Sequence, residues 1–257
     1  MGWRMGVLLF VGRSVALAVL LFLVTVVGAL CCVVFYRSSN KVYHIARVFG
    51  YAGRLLGIRV KRIIPASTAA LTQAVYIANH QNNMDLFSLS TAVPQGVVCV
   101  GKKSLIWIPL FGVLYWASGN ILINRQLRHK AIATIDQIAA QMKASHLSIW
   151  MFPEGTRSRG KGLLPFKTGA FHAALQAGVP IVPVVCSDTH NKIHLNRCDN
   201  GTFVVEMLEP IATVGLTQED IPRLIEQCHS LMSAKLAQLD RRMVRLAKRQ
   251  KKRQLAH

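Results

Sequence analysis

The sequence predicts an α/β protein: a single sheet flanked by helices, preceded by an N-terminal membrane-anchoring helical segment. Three observations predict it. No residue from Ser14 to Tyr36 is charged, an apolar stretch of 23 residues. After it, short apolar runs of strand-forming residues alternate with helical patterns. Two of those runs end directly in polar, turn-forming clusters that carry reactive side chains. At 257 residues the chain is long enough for one sizeable domain and an accessory segment.

The anchor comes first. As a helix, Ser14–Tyr36 spans about 34 Å, slightly more than the roughly 30 Å of bilayer hydrocarbon. Arg13 and Arg37 bracket it, where cationic heads reach the headgroup layer. It exceeds the ~7–15 residues of a signal-peptide core, and no Ala-x-Ala-like site follows. Leu30, before Cys31, is too large for a lipoprotein cleavage site. The segment therefore reads as a retained anchor. Whether it spans the bilayer or enters one leaflet stays open, because Lys41–Gly57 is mixed and amphipathic. The apolar fraction of 52% and the mean hydropathy of +0.34 reflect this segment.

Strands are expected at Ile58–Ile63, Ala74–Ala78, Val97–Val100, Asn120–Ile123, Leu147–Phe152, Ile181–Val185 and Phe203–Met207. Helices are expected at Asp85–Thr91, Arg128–Lys143, Thr168–Ala177 and Gln218–Gln250, the last opened by Thr217 and an acidic first turn. The implied organisation is an anchor with an amphipathic helix (1–57), an α/β domain (58–240) and a basic tail (241–257). One stretch breaks the alternation. Leu105–Trp116 is rich in aromatics and interrupted by Pro109, which suits either a pair of buried short helices or a segment touching lipid or an acyl chain.

The formal net charge is +20. Arg241, Arg242, Arg245, Lys248, Arg249, Lys251, Lys252 and Arg253 crowd the tail, and the body without them is still basic. Charge alone admits nucleic acid, anionic lipid or an acidic carrier protein. Beside a membrane anchor, anionic lipid accounts for it most simply, and no nucleic-acid partner is expected. Basic residues on the anchor's C-terminal side favour a cytoplasmic body. The six cysteines form no C-x-x-C pair, and four lie in apolar or helical patterns that suit buried thiols.

The first reactive cluster is Asn79-His80-Gln81-Asn82-Asn83-Met84-Asp85. On one continuous helix His80 and Asp85 would point about 140° apart. They meet only if the strand ends at His80 and a helix starts at Asn82 or Asn83. Then a carboxylate would set the imidazole tautomer and stabilise its protonated form, as a general base requires. Alternatively, Asn82 and Asp85 form a capping box and His80 is structural. The second cluster, Phe152-Pro-Glu-Gly-Thr-Arg-Ser158, offers a tight turn at Gly155 with hydroxyls and a guanidinium, suited to a phosphate or to a solvated hairpin. A third group, Cys186, Asp188, His190, His194 and Cys198, is spaced like metal ligands but reads better as a polar loop.

In this order the clusters resemble the glycerophospholipid acyltransferase family, and within it the 1-acylglycerol-3-phosphate acyltransferases (lysophosphatidate acyltransferases) of bacterial type. The resemblance covers most of Tyr76–Val185. H-x-x-x-x-D matches His80–Asp85, G-x-x-x-I-x-R matches Gly119–Arg125, and F-P-E-G-T-R-S matches Phe152–Ser158 unchanged. V-P-[IV]-[VI]-P matches Val179–Pro183, and a lysine-bearing segment matches Gly101–Leu105. Asn124 departs from the usual Asp before the motif arginine.

The resemblance implies that His80 takes the proton of the sn-2 hydroxyl of lysophosphatidic acid while Asp85 orients the ring. The hydroxyl oxygen then attacks an acyl thioester, from acyl-CoA or acyl carrier protein, without an acyl-enzyme. It further implies that Arg125, Arg157 and one of Lys102 or Lys103 bind the acceptor's phosphate. Glu154, Gly155 and Thr156 would build the phosphate loop, and Pro180 would line the substrate pocket. A helix N-terminus beside His80 would offer N–H groups to the oxyanion. No cofactor or metal is implied, and the location implied is the bacterial inner membrane with the catalytic domain on the cytoplasmic side. Two alternatives stand beside this reading: another acceptor (glycerol-3-phosphate or a different lysophospholipid), and a non-catalytic, membrane-tethered protein that binds anionic lipid.

Overall fold

The structure, a computed structural model, describes residues 3–36, 38–124 and 128–255. Its centre is a seven-stranded sheet: β1 (Ile58–Ile63), β2 (Val75–Ala78), β3 (Val97–Lys102), β4 (Ile121–Ile123), β5 (Ser148–Met151), β6 (Ile181–Cys186) and β7 (Gly201–Met207). The spatial order is β1-β7-β6-β2-β5-β3-β4. Every neighbouring pair is parallel except β6 and β7. The central strands β2 and β5 are buried at every position, which is why they read as unbroken apolar runs and not as alternation. Tyr76 and Trp150 sit opposite each other across that pair and stack with ring centroids 5.9 Å apart.

The helices are α1 (Trp3–Val34), α2 (Lys41–Ala52), α3 (Ala66–Ala69), α4 (Asp85–Ser88), α5 (Phe111–Ala117), α6 (Arg128–Ser145), α7 (Gly169–Ala177) and α8 (Ile221–Leu255). All seven expected strands are present, with ends shifted by up to two residues. The helix expected over Asp85–Thr91 is a single α turn continued by a 3-10 turn, Leu89–Ala92. The one-turn α3 carries no sequence signal strong enough to anticipate it.

The 32-residue α1 is long and apolar enough to cross a membrane. It does not stand free of the body. Arg13 donates to the carbonyls of Leu195 (3.0 Å) and Cys198 (3.1 Å), and also to that of Arg197. Leu17, Leu20, Leu21 and Val24 pack on a cluster formed by Phe49, Leu56, Phe87 and Phe203. Gly28 meets Leu114 of α5. One face of α1 thus rests on protein, while Leu8, Val15, Phe22 and Leu30 on its other sides are exposed. The amphipathic α2 joins the body as well, with Val42 and Ala46 in the main core.

Leu105–Trp116 is not a pair of buried helices. It forms a 3-10 turn (Lys103–Trp107) and α5, in which only Gly112 and Leu114 are buried. Trp107 is 82% exposed and Trp116 64%. The stretch from Cys186 to Cys198 leaves β6 as a loop. His190 lies over Gly160 there, and the His194 Nε2 bonds the carbonyl of Asn191. Among the described residues no group of three or more His, Cys, Asp or Glu side chains is arranged to hold a metal ion. Cys31, Cys32, Cys99, Cys186 and Cys228 are free thiols.

Candidate active site

Because β2, β3, β4 and β5 are parallel neighbours, their C-terminal ends emerge along one edge. His80 follows β2, Phe152–Ser158 follows β5, and Lys102 and Lys103 end β3 and begin the next turn. Asn124 follows β4; Arg125, the next candidate, lies outside the described residues.

The chain breaks between His80 and Asp85 as the spacing requires. β2 ends at Ala78 and α4 begins at Asp85, so the carboxylate turns back to the imidazole: Nδ1 of His80 lies 2.7 Å from Asp85 Oδ2. The same oxygen accepts the backbone N–H groups of Gln81 (2.6 Å) and Asn82 (3.1 Å). Asn82 Oδ1 in turn accepts the Met84 N–H at 2.8 Å. The His80–Asp85 contact and the capping-type turn are therefore one structure. An ionised carboxylate only accepts, so Nδ1 carries the proton and Nε2 keeps its lone pair. Among the described residues Nε2 makes no hydrogen bond, and the imidazole is about one-fifth exposed. The N–H groups of Gln81 and Asn82 are spent on Asp85, which removes them as oxyanion donors.

Three side chains set the loop. Asn79 bonds both the C=O (2.9 Å) and the N–H (2.8 Å) of Cys186 at the end of β6. Gln81 donates to the carbonyls of Cys186 and Ser187 and accepts from the Thr189 N–H. Asn82 donates to Thr189 Oγ1 at 2.8 Å. Phe152 stacks on the imidazole, centroids 4.1 Å apart and planes 21° apart. That places a π face against a ring that becomes cationic on protonation.

The second cluster is fastened to the first. Ser158 N–H donates to the carbonyl of His80 (2.8 Å) and Arg159 N–H to that of Gln81 (3.1 Å). Glu154 is buried and accepts the N–H groups of His80 (2.6 Å) and Leu164 (2.9 Å), one on each oxygen. Burial raises its pKa, and those two hydrogen bonds offset part of the rise. Glu154 is thus a strut between the loops, not a group aimed at a phosphate. Gly155 takes φ +71°, and a Cβ there would lie within 3.2 Å of the Lys167 side chain. Thr156 and Arg157 are exposed on the turn, whereas Ser158 is buried.

Lys167 was not among the sequence candidates. Its signal is three-dimensional: it precedes α7 but lies over Gly155, ten or more residues earlier in the chain. It lines a cavity of about 690 Å³ with Phe152, Pro153 and Gly155, floored by Ile123 and Ile135. Among the described residues no carboxylate lies within ion-pair distance of Lys102, Lys103, Arg157 or Lys167.

Pro180 requires a correction. It precedes β6, whose first residue Ile181 pairs with Val75, the first residue of β2. Pro180 therefore sits at the opposite end of the strands from His80, where its carbonyl accepts the Val75 N–H. The motif runs along β6 only as far as Pro183, opposite Ile77, and it is the end of that strand beyond the motif, at Cys186, that meets the His80 loop.

The acyltransferase family model matches residues 59–187. The 1-acyl-sn-glycerol-3-phosphate acyltransferase of Haemophilus influenzae is 50% identical over 218 residues, 85% of this chain and 91% of that one. Its counterpart in Escherichia coli is 47% identical over 234 residues, 91% of this chain and 96% of its own. This chain belongs to the 1-acyl-sn-glycerol-3-phosphate acyltransferase family. The fold agrees with the crystal structure of the 1-acyl-sn-glycerophosphate (LPA) acyltransferase PlsC from Thermotoga maritima, at a TM-score of 0.69. That likeness covers 92% of this chain and 99% of the other at 20% identity, which speaks to the fold alone. Within the acyltransferase family frame, the hydrogen-bonded unit of β2 loop, β5 loop and β6 end is the part of this chain built to hold one imidazole still.

Proposed function

We propose that this chain transfers an acyl group from an acyl thioester to the sn-2 hydroxyl of 1-acylglycerol-3-phosphate, giving phosphatidic acid and a free thiol for phospholipid synthesis. The observation that carries the mechanism is the 2.7 Å contact of Asp85 Oδ2 with His80 Nδ1, which leaves Nε2 open as a base. Nε2 takes the proton from the acceptor hydroxyl as its oxygen bonds to the thioester carbon. The tetrahedral species then collapses, the C–S bond breaks, and the departing sulfur takes the proton from His80. A thiolate with a pKa near ~8.5 leaves without a separate strong acid. Asp85 and the Phe152 ring stabilise the transient imidazolium.

The acceptor's phosphate is met by exposed cations at the same sheet edge: Arg157, Lys167, Lys102 or Lys103, with Arg125 assigned from the motif alone. Glu154 and Gly155 shape that loop without touching phosphate, and Thr156 offers its hydroxyl. Acyl-CoA and acyl carrier protein both fit as donors by chemistry, and the reaction as written needs no cofactor. The α1 helix holds the enzyme at the membrane, and the basic body and tail favour the cytoplasmic face of a bacterial inner membrane. The test is acyl transfer by the purified full chain in detergent, with lysophosphatidic acid and glycerol-3-phosphate offered in competition. Lysophosphatidic acid is expected to be acylated in preference. His80→Ala should lower the rate by about 10²–10⁴ without loss of fold. An unchanged rate in that variant would sink the mechanism.

A further inference from the structure

Away from the His80 loops, a concavity of about 250 Å³ lies between α2 and β1 and is lined by Arg47, Arg54, Arg59 and Arg62. Only Arg59 has a carboxylate partner among the described residues, Asp199 at 2.9 Å. The others are held by neutral groups. Arg47 donates to the Tyr51 hydroxyl (2.7 Å), and Arg62 donates to the Thr91 carbonyl (3.0 Å). The guanidinium carbons of Arg47 and Arg54 lie 5.0 and 5.2 Å from the centroid of the Tyr51 ring. The site depends on a close approach: a Cβ on Gly50 would stand 3.0 Å from the Thr91 side chain and 3.3 Å from its backbone. That approach brings Arg47 of α2, and Arg54 of the 3-10 turn Gly53–Leu56 that follows it, to the same concavity as Arg62.

Arg47, Arg54 and Arg62, gathered without carboxylate partners, repel one another, and the arrangement gains most from an anion between them. We propose that this concavity binds a phosphate group. Guanidinium forks match phosphate oxygens two at a time, and here they come from α2, the 3-10 turn after it and β1, with Tyr51 holding Arg47 and Arg54 and the Thr91 carbonyl holding Arg62. Tyr51 in the lining is exposed, as is Leu55, the residue after Arg54 in the chain. Apolar and aromatic side chains among arginines suit the headgroup level of a bilayer. The phosphate is carried by an anionic membrane lipid or is free in solution; the chemistry at the arginines is the same. No lining residue belongs to the loops that carry His80 or Arg157, so the site is separate from acyl transfer.

The test is thermal unfolding of the full chain in a neutral detergent, titrated with dihexanoyl phosphatidylglycerol and, separately, with inorganic phosphate. A ligand of the folded state raises the unfolding midpoint in a saturable way. Wild type should show this with at least one probe, and Arg157→Gln should keep it, which distinguishes the site from the acceptor's. The Arg47→Gln/Arg54→Gln/Arg62→Gln variant should bind about tenfold or more weakly. The corresponding triple lysine variant keeps the charge but loses the fork, and should fall between. A response to phosphatidylglycerol alone assigns a lipid headgroup, and an equal response to inorganic phosphate assigns a free ion. No saturable response in wild type, or the same response in wild type and both triple variants, overturns the proposal. The readout is binding, so it stands or falls independently of the acyltransferase activity.

Discussion

Asp85 Oδ2 accepts from His80 Nδ1, Gln81 N and Asn82 N at once, while Oδ1 is buried without a partner among the described residues. One oxygen therefore holds the loop and the imidazole together. Asp85→Asn can present its amide oxygen to the same donors and place its NH₂ where Oδ1 stood. The loop should persist, but the charge that stabilises imidazolium is gone. We expect kcat to fall by about two to four orders of magnitude with little change in the acceptor KM or in melting temperature. At Gly155 the cost is conformational: φ +71° disfavours any Cβ, and Lys167 occupies the space it would need. Gly155→Ala should lose about 1–2 kcal/mol of stability and raise the acceptor KM, measurable by melting and steady-state kinetics. Both residues were legible in the sequence because their motifs are local. Lys167 was not, because what brings it to Gly155 is the return of the chain before α7.

At the scale of elements, Glu154 ties the β2 loop to the β5 loop, and its burial raises its pKa. A group whose folded pKa is raised contributes stability below its unfolded pKa and loses it as pH rises through the folded one. Relative to Glu154→Gln, the wild-type chain should therefore lose melting temperature as the pH is raised from acid toward neutral; a constant difference would contradict the assignment. The segment Lys103–Ala117 presents Trp107 and Trp116 outward and packs α5 against α1. Of the two readings open for it, the exposed rings favour contact with lipid. Variants retaining a single tryptophan at 107 or 116 should be quenched by brominated phospholipid in vesicles. One retaining Trp150, buried in the sheet, should not.

Over the whole molecule, α1 docks along the body, and α8 carries its basic end past Leu239, the last fully buried position on it among the described residues. Exposed Arg241, Arg242 and Arg245 begin the tail on that same helix. Near an anionic bilayer each such charge contributes about 1 kcal/mol, screened within about 10 Å at 0.1 M salt. Deleting residues 241–257 should weaken binding to anionic liposomes at low salt and make little difference at high salt. Sequence by itself determined the seven strands, the apolar helix, and the need for a break between His80 and Asp85. Each of these rests on patterns a few residues long, in which burial on both faces or helical geometry leaves few alternatives. Only the tertiary structure decided that the capping turn and the His80–Asp85 contact share one oxygen, that Glu154 is a strut, and that Pro180 lies before β6, at the end remote from His80. It alone gathered arginines from α2 and β1 around one concavity. Those outcomes depend on which strands are neighbours and in which direction they run, and a parallel sheet sets both through contacts between residues far apart in the chain.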